Sequence, residues 1–183
     1  MLGTTDELDN PIRVLYVNSD PAFAELVQTK LQQTSTEIDY LPADGLDEAL
    51  HTLATDRIDC IVTAYSLEDS DGIGLTESIR QQNDEIPIIL FTGQGSEEIA
   101  SKATRAGVSD YLPIRSERNN FTLLAARIRT LAGAARKQQE AEQTKRRFRR
   151  TLERATDAIY AVDSDWRIEY INEKMAERVG RDP

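Results

Sequence analysis

The sequence predicts an α/β fold, a doubly wound five-stranded parallel sheet covered by helices on both faces, with a long C-terminal helix. Three observations carry this. Five short runs rich in β-branched and apolar residues alternate with five stretches of helical periodicity between residues 12 and 133. The runs are nearly continuously apolar, as in strands buried on both faces. Their spacing suits βαβ units, whose right-handed crossovers stack helices on either side of one sheet.

The first strand is residues 12–17, IRVLYV. Asp20 then caps a helix and Pro21 occupies its first position. Over residues 22–33 that helix places Phe23, Leu26, Val27 and Leu31 on one stripe, with the Lys30 stem at its edge. Residues 38–41 form the second strand, and Asp44 starts a helix over Leu46, Ala49, Leu50 and Leu53. Residues 58–63 form the third strand, apolar on both faces except at Asp59. The loop 68–72 leads to a helix over residues 73–82 that turns Leu75 and Ile79 inward. Residues 86–92 form the fourth strand, residues 93–96 a turn, and residues 97–106 a helix stopped by Gly107. Residues 108–114 hold the fifth strand, and a last helix begins near Asn119 or Asn120.

Composition bounds the chemistry. Cys60 is the one cysteine among 183 residues, so no disulfide framework forms. It reads as a small buried hydrophobe, and a reducing cytoplasm fits. No run approaches a membrane-spanning length of about 18 apolar residues. The opening MLGTTDELDNPI is acidic and is no secretion signal; residues 1–11 are expected to be a disordered N-terminus. Charge is uneven: residues 1–114 carry 6 Lys and Arg against 21 Asp and Glu, whereas residues 115–154 carry 12 against 4. An acidic head joined to a basic segment points to different tasks for the two, and an acid-rich, Lys-poor surface suits a salt-adapted organism. His51 has no Cys or His partner nearby in the sequence, so no metal site is expected there. Gly93-Gln94-Gly95-Ser96 opens a helix but matches no nucleotide fingerprint.

Function in an open doubly wound sheet sits at the strand C-terminal ends. Here these are Asn18-Ser19-Asp20, Ala64, Thr92-Gly93 and Leu112-Pro113-Ile114. The stretches VLYVNSDPAFAEL, IDCIVTAYSLEDSDGIGLTESIR and IPIILFTGQGSEEIASKATRAGVSDYL resemble, in order and spacing, the receiver domain of two-component response regulators over residues 12–133. The wording IILFTG, then GSEEIA and AGVSDYL, is similar to receivers of haloarchaeal sensor proteins. The resemblance implies the flavodoxin-like strand order 2-1-3-4-5 and phosphoryl transfer to an aspartate. In the family an acid ending the third strand accepts the group, two acids after the first strand hold magnesium, and a lysine after the fifth neutralises the phosphoryl oxygens. A Thr or Ser after the fourth strand and an aromatic residue on the fifth report the change.

Carried over position by position, Asn18 and Ser19 stand at the acid pair, Ala64 at the acceptor and Ile114 at the lysine. Only Thr92 and Tyr111 keep the expected type. The resemblance therefore implies a degenerate pseudo-receiver without Mg2+, cofactor or catalysis. Asp59 lies at the far end of the third strand, about 16 Å from residue 64 at roughly 3.3 Å per residue. Asp69 and Asp71 fall in the following loop, and Asp20 reads as a helix cap, so no other acid replaces the acceptor. Thr92 reads as a strand-end residue bonding neighbouring backbone, and Tyr111 as half-buried packing.

From residue 121 the pattern stays helical. Leu124, Ile128, Leu131 and Ala135 are spaced like a coiled-coil seam. Gln138, Glu142 and Lys145 continue it with polar residues, and Phe148, Leu152, Ala155 and Ile159 resume it after a shift. Residues 134–151 form the linker, and KRRFRRTLER reads as the solvated face of a connecting helix rather than a nucleic-acid patch. Residues 152–183 resemble the opening of a PAS sensory domain, truncated: a cap helix, strand AIYAVD, a turn, strand RIEYIN and a helix over KMAERVG. Two strands alone are marginal in water, so these are expected to be poorly ordered or to pair with another chain or with the receiver.

The expected function is that of a cytoplasmic, non-catalytic module of a two-component or phosphorelay protein, acting by protein contact and relaying it through the helix to the PAS segment. Partners, or a second copy, are expected on the surface of the fourth helix, fifth strand and fifth helix (residues 97–105, Tyr111 and residues 121–129) and on the linker helix. The alternatives are a phosphorylatable receiver and a transcription regulator using the basic helix.

Overall fold

The computed structural model describes residues 11–68, 70–83, 85–114 and 120–180. The expectations for residues 1–10, Asp69 and Asn119 lie outside the described residues. The chain divides into two compact units, the first ending at Arg136 and the second beginning at Lys137.

In the first unit strand and helix alternate: β1 (Ile12–Val17), α1 (Pro21–Thr34), β2 (Ile38–Ala43), α2 (Leu46–Thr55), β3 (Cys60–Thr63), α3 (Gly72–Arg80), β4 (Ile88–Thr92), α4 (Glu97–Ala106), β5 (Asp110–Pro113) and the start of α5 (Asn120–Glu153). The strands pair in parallel in the order β2-β1-β3-β4-β5. This is the flavodoxin-like doubly wound sheet that the sequence predicts, and its strand order reverses at β1 and β3. Helix starts follow local chemistry. Asp20 accepts from the Ala22 and Phe23 N–H groups at 3.0 and 3.1 Å, and Asp71 from Ile73 and Gly74 at 3.0 and 2.7 Å. Gly107 ends α4 with φ 91°, a left-handed position that favours glycine.

The alternating sides of the strands build two core layers. Val14, Tyr16, Val62, Ile89 and Phe91 pack with Val27 and Leu31 of α1 and with Leu124 and Ile128 of α5. Leu15, Val17, Ile61 and Ile88 pack with Ala49 of α2 and with Leu75 and Ile79 of α3. Two sequence expectations change. Leu26, on the predicted inward stripe of α1, is 43% exposed, because the buried arc narrows to Val27 and Leu31. The seam at Leu124 and Ile128 is not left open for a second helix: both are fully buried against the sheet, together with Ala125 and Ala132. A 3–4 spacing marks an apolar stripe, and here the stripe covers the sheet.

The second unit holds the end of α5, β6 (Tyr160–Val162), β7 (Ile168–Ile171) and α6 (Glu173–Val179). The two strands pair with each other, antiparallel, in a separate sheet rather than joining another one. Buried Asn172 braces them. Its Oδ1 accepts from Ile159 and Met175 N–H at 2.9 and 3.0 Å, and its Nδ2 donates to the Leu152 and Asp157 carbonyls at 3.2 and 2.9 Å. Among the described residues no helix is long and apolar enough to cross a membrane.

Candidate functional site

Val17 of β1 pairs with Thr63 of β3, so the residues after each strand meet at one edge of the sheet. Asn18 is nearly buried, and both ends of its amide are used. Oδ1 accepts from the Asp20 N–H and Nδ2 donates to the Tyr16 hydroxyl, each at 2.9 Å. Burial pushes the Tyr16 phenol well above its ordinary range, so it stays neutral. Ser19 is half-buried. The Asp20 carboxylate is turned to the first N–H groups of α1.

Ala64 donates its N–H to the Val17 carbonyl at 2.9 Å and packs a half-buried methyl against the α2–α3 layer. Its carbonyl accepts from the Thr63 hydroxyl at 3.0 Å. Gly72 lies so close that a Cβ there would stand 2.2 Å from this carbonyl oxygen. Across the edge, Ile114 donates its N–H to the Thr92 carbonyl at 2.8 Å and packs its side chain on the layer holding Phe91 and Phe121. Thr92 is buried, and its Oγ1 accepts from the Gln94 N–H at 3.0 Å. The Tyr111 hydroxyl is buried and has no hydrogen-bond partner among the described residues; it abuts Gly95, where a Cβ would meet it at 2.9 Å. Beside it opens a cavity of about 380 Å³ lined in part by Gly95, Ser96, Ala100, Tyr111, Pro113 and Ile114.

The six predicted positions thus come to one end of the sheet. An amide, a hydroxyl, a methyl and a branched alkyl group stand at the four that the family's phosphoryl chemistry fills with charge. A divalent hard cation wants carboxylate oxygens, and these residues do not fit one. Among the described residues no group of three or more His, Cys, Asp or Glu is placed to hold a metal.

A family model for the response regulator receiver domain matches residues 14–125. The chain belongs to that family. The response regulator MprA of Mycobacterium bovis is 31% identical over 139 residues, which is 75% of this chain and 57% of that protein. The MprA of Mycolicibacterium vanbaalenii is 32% identical over 103 residues, 56% of this chain and 44% of that protein. The chain therefore spans about half the length of the curated relatives it matches. Among solved structures, the receiver domain of the Francisella response regulator 1452 matches with a TM-score of 0.60 and 29% identity, covering 68% of this chain and 98% of that one. The signal receiver domain of an HD domain-containing protein from Pseudomonas fluorescens matches with a TM-score of 0.62 and 26% identity, covering 72% and 93%.

At the opposite edge of the receiver sheet lies a polar cluster that sequence reasoning missed. Asp59, just before β3, has a side chain only 5% exposed. Arg136 of α5 grips both its oxygens, Nε to Oδ1 at 2.9 Å and Nη2 to Oδ2 at 2.6 Å. The Arg13 N–H adds a bond at 2.9 Å and the Arg57 guanidinium one at 3.2 Å. Burial alone would raise this carboxyl, but the Arg136 and Arg13 hydrogen bonds and the Arg136 and Arg57 charges outweigh it and hold the group below the usual carboxylate range. Asp59 and Arg136 are 77 positions apart, so no local spacing signals the pair.

A depressed carboxyl stabilises the fold fully above its unfolded value, about pH 4, and the contribution fades as pH falls through the lower folded value. Urea stability is therefore expected to drop on acidification below about pH 4, and Asp59→Asn to flatten part of that drop. An unchanged slope in the variant would place the effect on other carboxylates, such as Asp56 beside Arg13. Cys60, next in sequence, is fully buried; burial pushes its thiol up and leaves it unreactive.

Proposed function

We propose that this receiver is a pseudo-receiver: a non-catalytic module of a two-component or phosphorelay signalling protein that neither holds magnesium nor takes a phosphoryl group, and that works by protein contact. The observation that carries the reading is Ala64 at the end of β3, with Asn18 and Ser19 after β1 and Ile114 after β5. Transfer to a carboxylate needs an acid as nucleophile, a metal to gather the phosphoryl oxygens and a cation to balance them. No charged side chain stands at any of these positions.

Partner contact is assigned to the surface of α4, Tyr111 and the first turns of α5, where Leu123 is exposed, and to the linker part of α5. The division into a receiver over residues 12–133, a linker over 134–151 and the start of a PAS domain from residue 152 belongs to the same proposal. A hairpin of β6 and β7 between two helices supports the PAS reading. The acidic, Lys-poor composition supports a haloarchaeal source.

The test is incubation with acetyl phosphate and magnesium followed by intact mass measurement. The protein is expected to gain nothing. A one-phosphate adduct on an aspartate would make it an ordinary phosphorylatable receiver and end the proposal.

A further inference from the structure

We propose that the Asp59 carboxylate is a latch on α5: by holding Arg136 it pins the last core-side turn of the helix to the sheet, and this turn moves by releasing the Arg136 guanidinium while the sheet stays folded. The inference stands independently of whether residue 64 can be phosphorylated.

The helix is held in two different ways along its length. Leu124, Ala125, Ile128 and Ala132 are fully buried and hold it by apolar packing. One turn after Ala132 comes Arg136, the last residue of the first compact unit. From residue 137 to residue 151 every side chain is exposed. Apolar contact is non-directional and tolerates small shifts, whereas a guanidinium fork on a carboxylate fixes distance and angle together. The same guanidinium donates to the Pro11 carbonyl at 2.7 Å, so one side chain joins α5 to the approaches of both β1 and β3.

The surroundings make opening tolerable. When Arg136 lets go, Asp59 keeps the Arg13 N–H and the Arg57 guanidinium, so the buried carboxylate is neither unbonded nor without a neighbouring cation. Arg136 is already 20% exposed and finds water by a small movement. Anything that binds the exposed stretch of α5 and shifts it works against this contact first.

Hydrogen exchange followed by mass spectrometry on the full chain tests the latch, comparing Arg136→Gln and Arg136→Lys with the parent and with Arg149→Gln as an exposed-charge control. In Arg136→Gln the amides of residues 129–140 are expected to exchange roughly tenfold faster or more, the scale of one charged hydrogen-bond set. Amides of β1 and β3 should stay within about twofold of the parent, since local opening leaves the global unit intact. Arg136→Lys, a point charge without the fork, should fall between. Acceleration of helix and sheet in equal proportion in both variants would reduce Arg136 to a general stability contact and overturn the proposal. So would exchange at residues 129–140 that matches the Arg149→Gln control.

Discussion

Replacing Asn18, Ser19 and Ala64 by aspartate and Ile114 by lysine is expected to produce a receiver that binds magnesium and takes phosphate from acetyl phosphate, whereas Ala64→Asp alone does neither. The single variant adds a nucleophile to an edge with no acid at residues 18 and 19 and no lysine at residue 114. The Asn18 amide is already committed, its oxygen to the Asp20 N–H and its nitrogen to the Tyr16 hydroxyl. Ile114 leans on the core layer and offers no charge to a phosphoryl group. The fourfold variant gathers three carboxylates, and each like-charge pair within about 4 Å costs roughly 1–4 kcal/mol without a cation between them. It is therefore expected to be less stable than the parent in chelator. Magnesium at a hundred times its dissociation constant should return about 2.7 kcal/mol by mass action. The lysine stem can lie along the apolar wall that Ile114 occupies, with its head at the crevice. Thermal midpoints in magnesium and in chelator, with intact masses after acetyl phosphate, report both halves. A phosphate adduct on the Ala64→Asp protein would show that the flanking positions are sufficient as they stand.

The sheet was legible because the central strands β3 and β4 are buried throughout, the others are largely apolar, and turn or cap residues bound them, such as Asn18 to Pro21 after β1 and Gly93 after β4. What escaped was whatever depends on a partner distant in sequence. Leu26 lies on the correct stripe by spacing, but how wide an arc α1 buries is decided by its neighbours. The spacing of Leu124, Ile128 and Leu131 is the same whether the stripe meets a sheet or another helix, so it could not choose between them. The crevice residues are a harder case. Nothing about an alanine, an asparagine or an isoleucine marks a site, and only the resemblance brought them forward. The Arg136–Asp59 contact had no such help, for a charged residue beside an apolar run reads as an ordinary strand edge.

Gly72→Ala is expected to be the most damaging single substitution at the crevice, costing about 3 kcal/mol of unfolding free energy, the upper part of the overpacking range. Glycine is not needed there for an unusual backbone angle; it is needed because no Cβ fits. A methyl would stand 2.2 Å from the Ala64 carbonyl oxygen and 2.9 Å from Leu90 Cδ1. The leucine tip can turn aside, but the carbonyl cannot. Ala64 is bonded through its N–H to Val17, and Gly72 is bonded to the Tyr65 carbonyl at 2.8 Å. Relief has to come from the start of α3, which would pull Asp71 from its capping position and lift Leu75 and Ile79 out of the core. Gly74→Ala, two residues on, separates sterics from glycine chemistry: its Cβ meets only Asp71 Oδ1, at 3.6 Å. That variant is expected to gain up to about 1 kcal/mol from helix propensity. Denaturant titration of both compares them directly. A loss below about 1 kcal/mol for Gly72→Ala, less than overpacking ordinarily exacts, would mean that the Ala64 carbonyl yields. The crevice would then be soft, and residue identity alone, rather than a fixed shape that leaves no room for a larger side chain at residue 72, would set what it can hold.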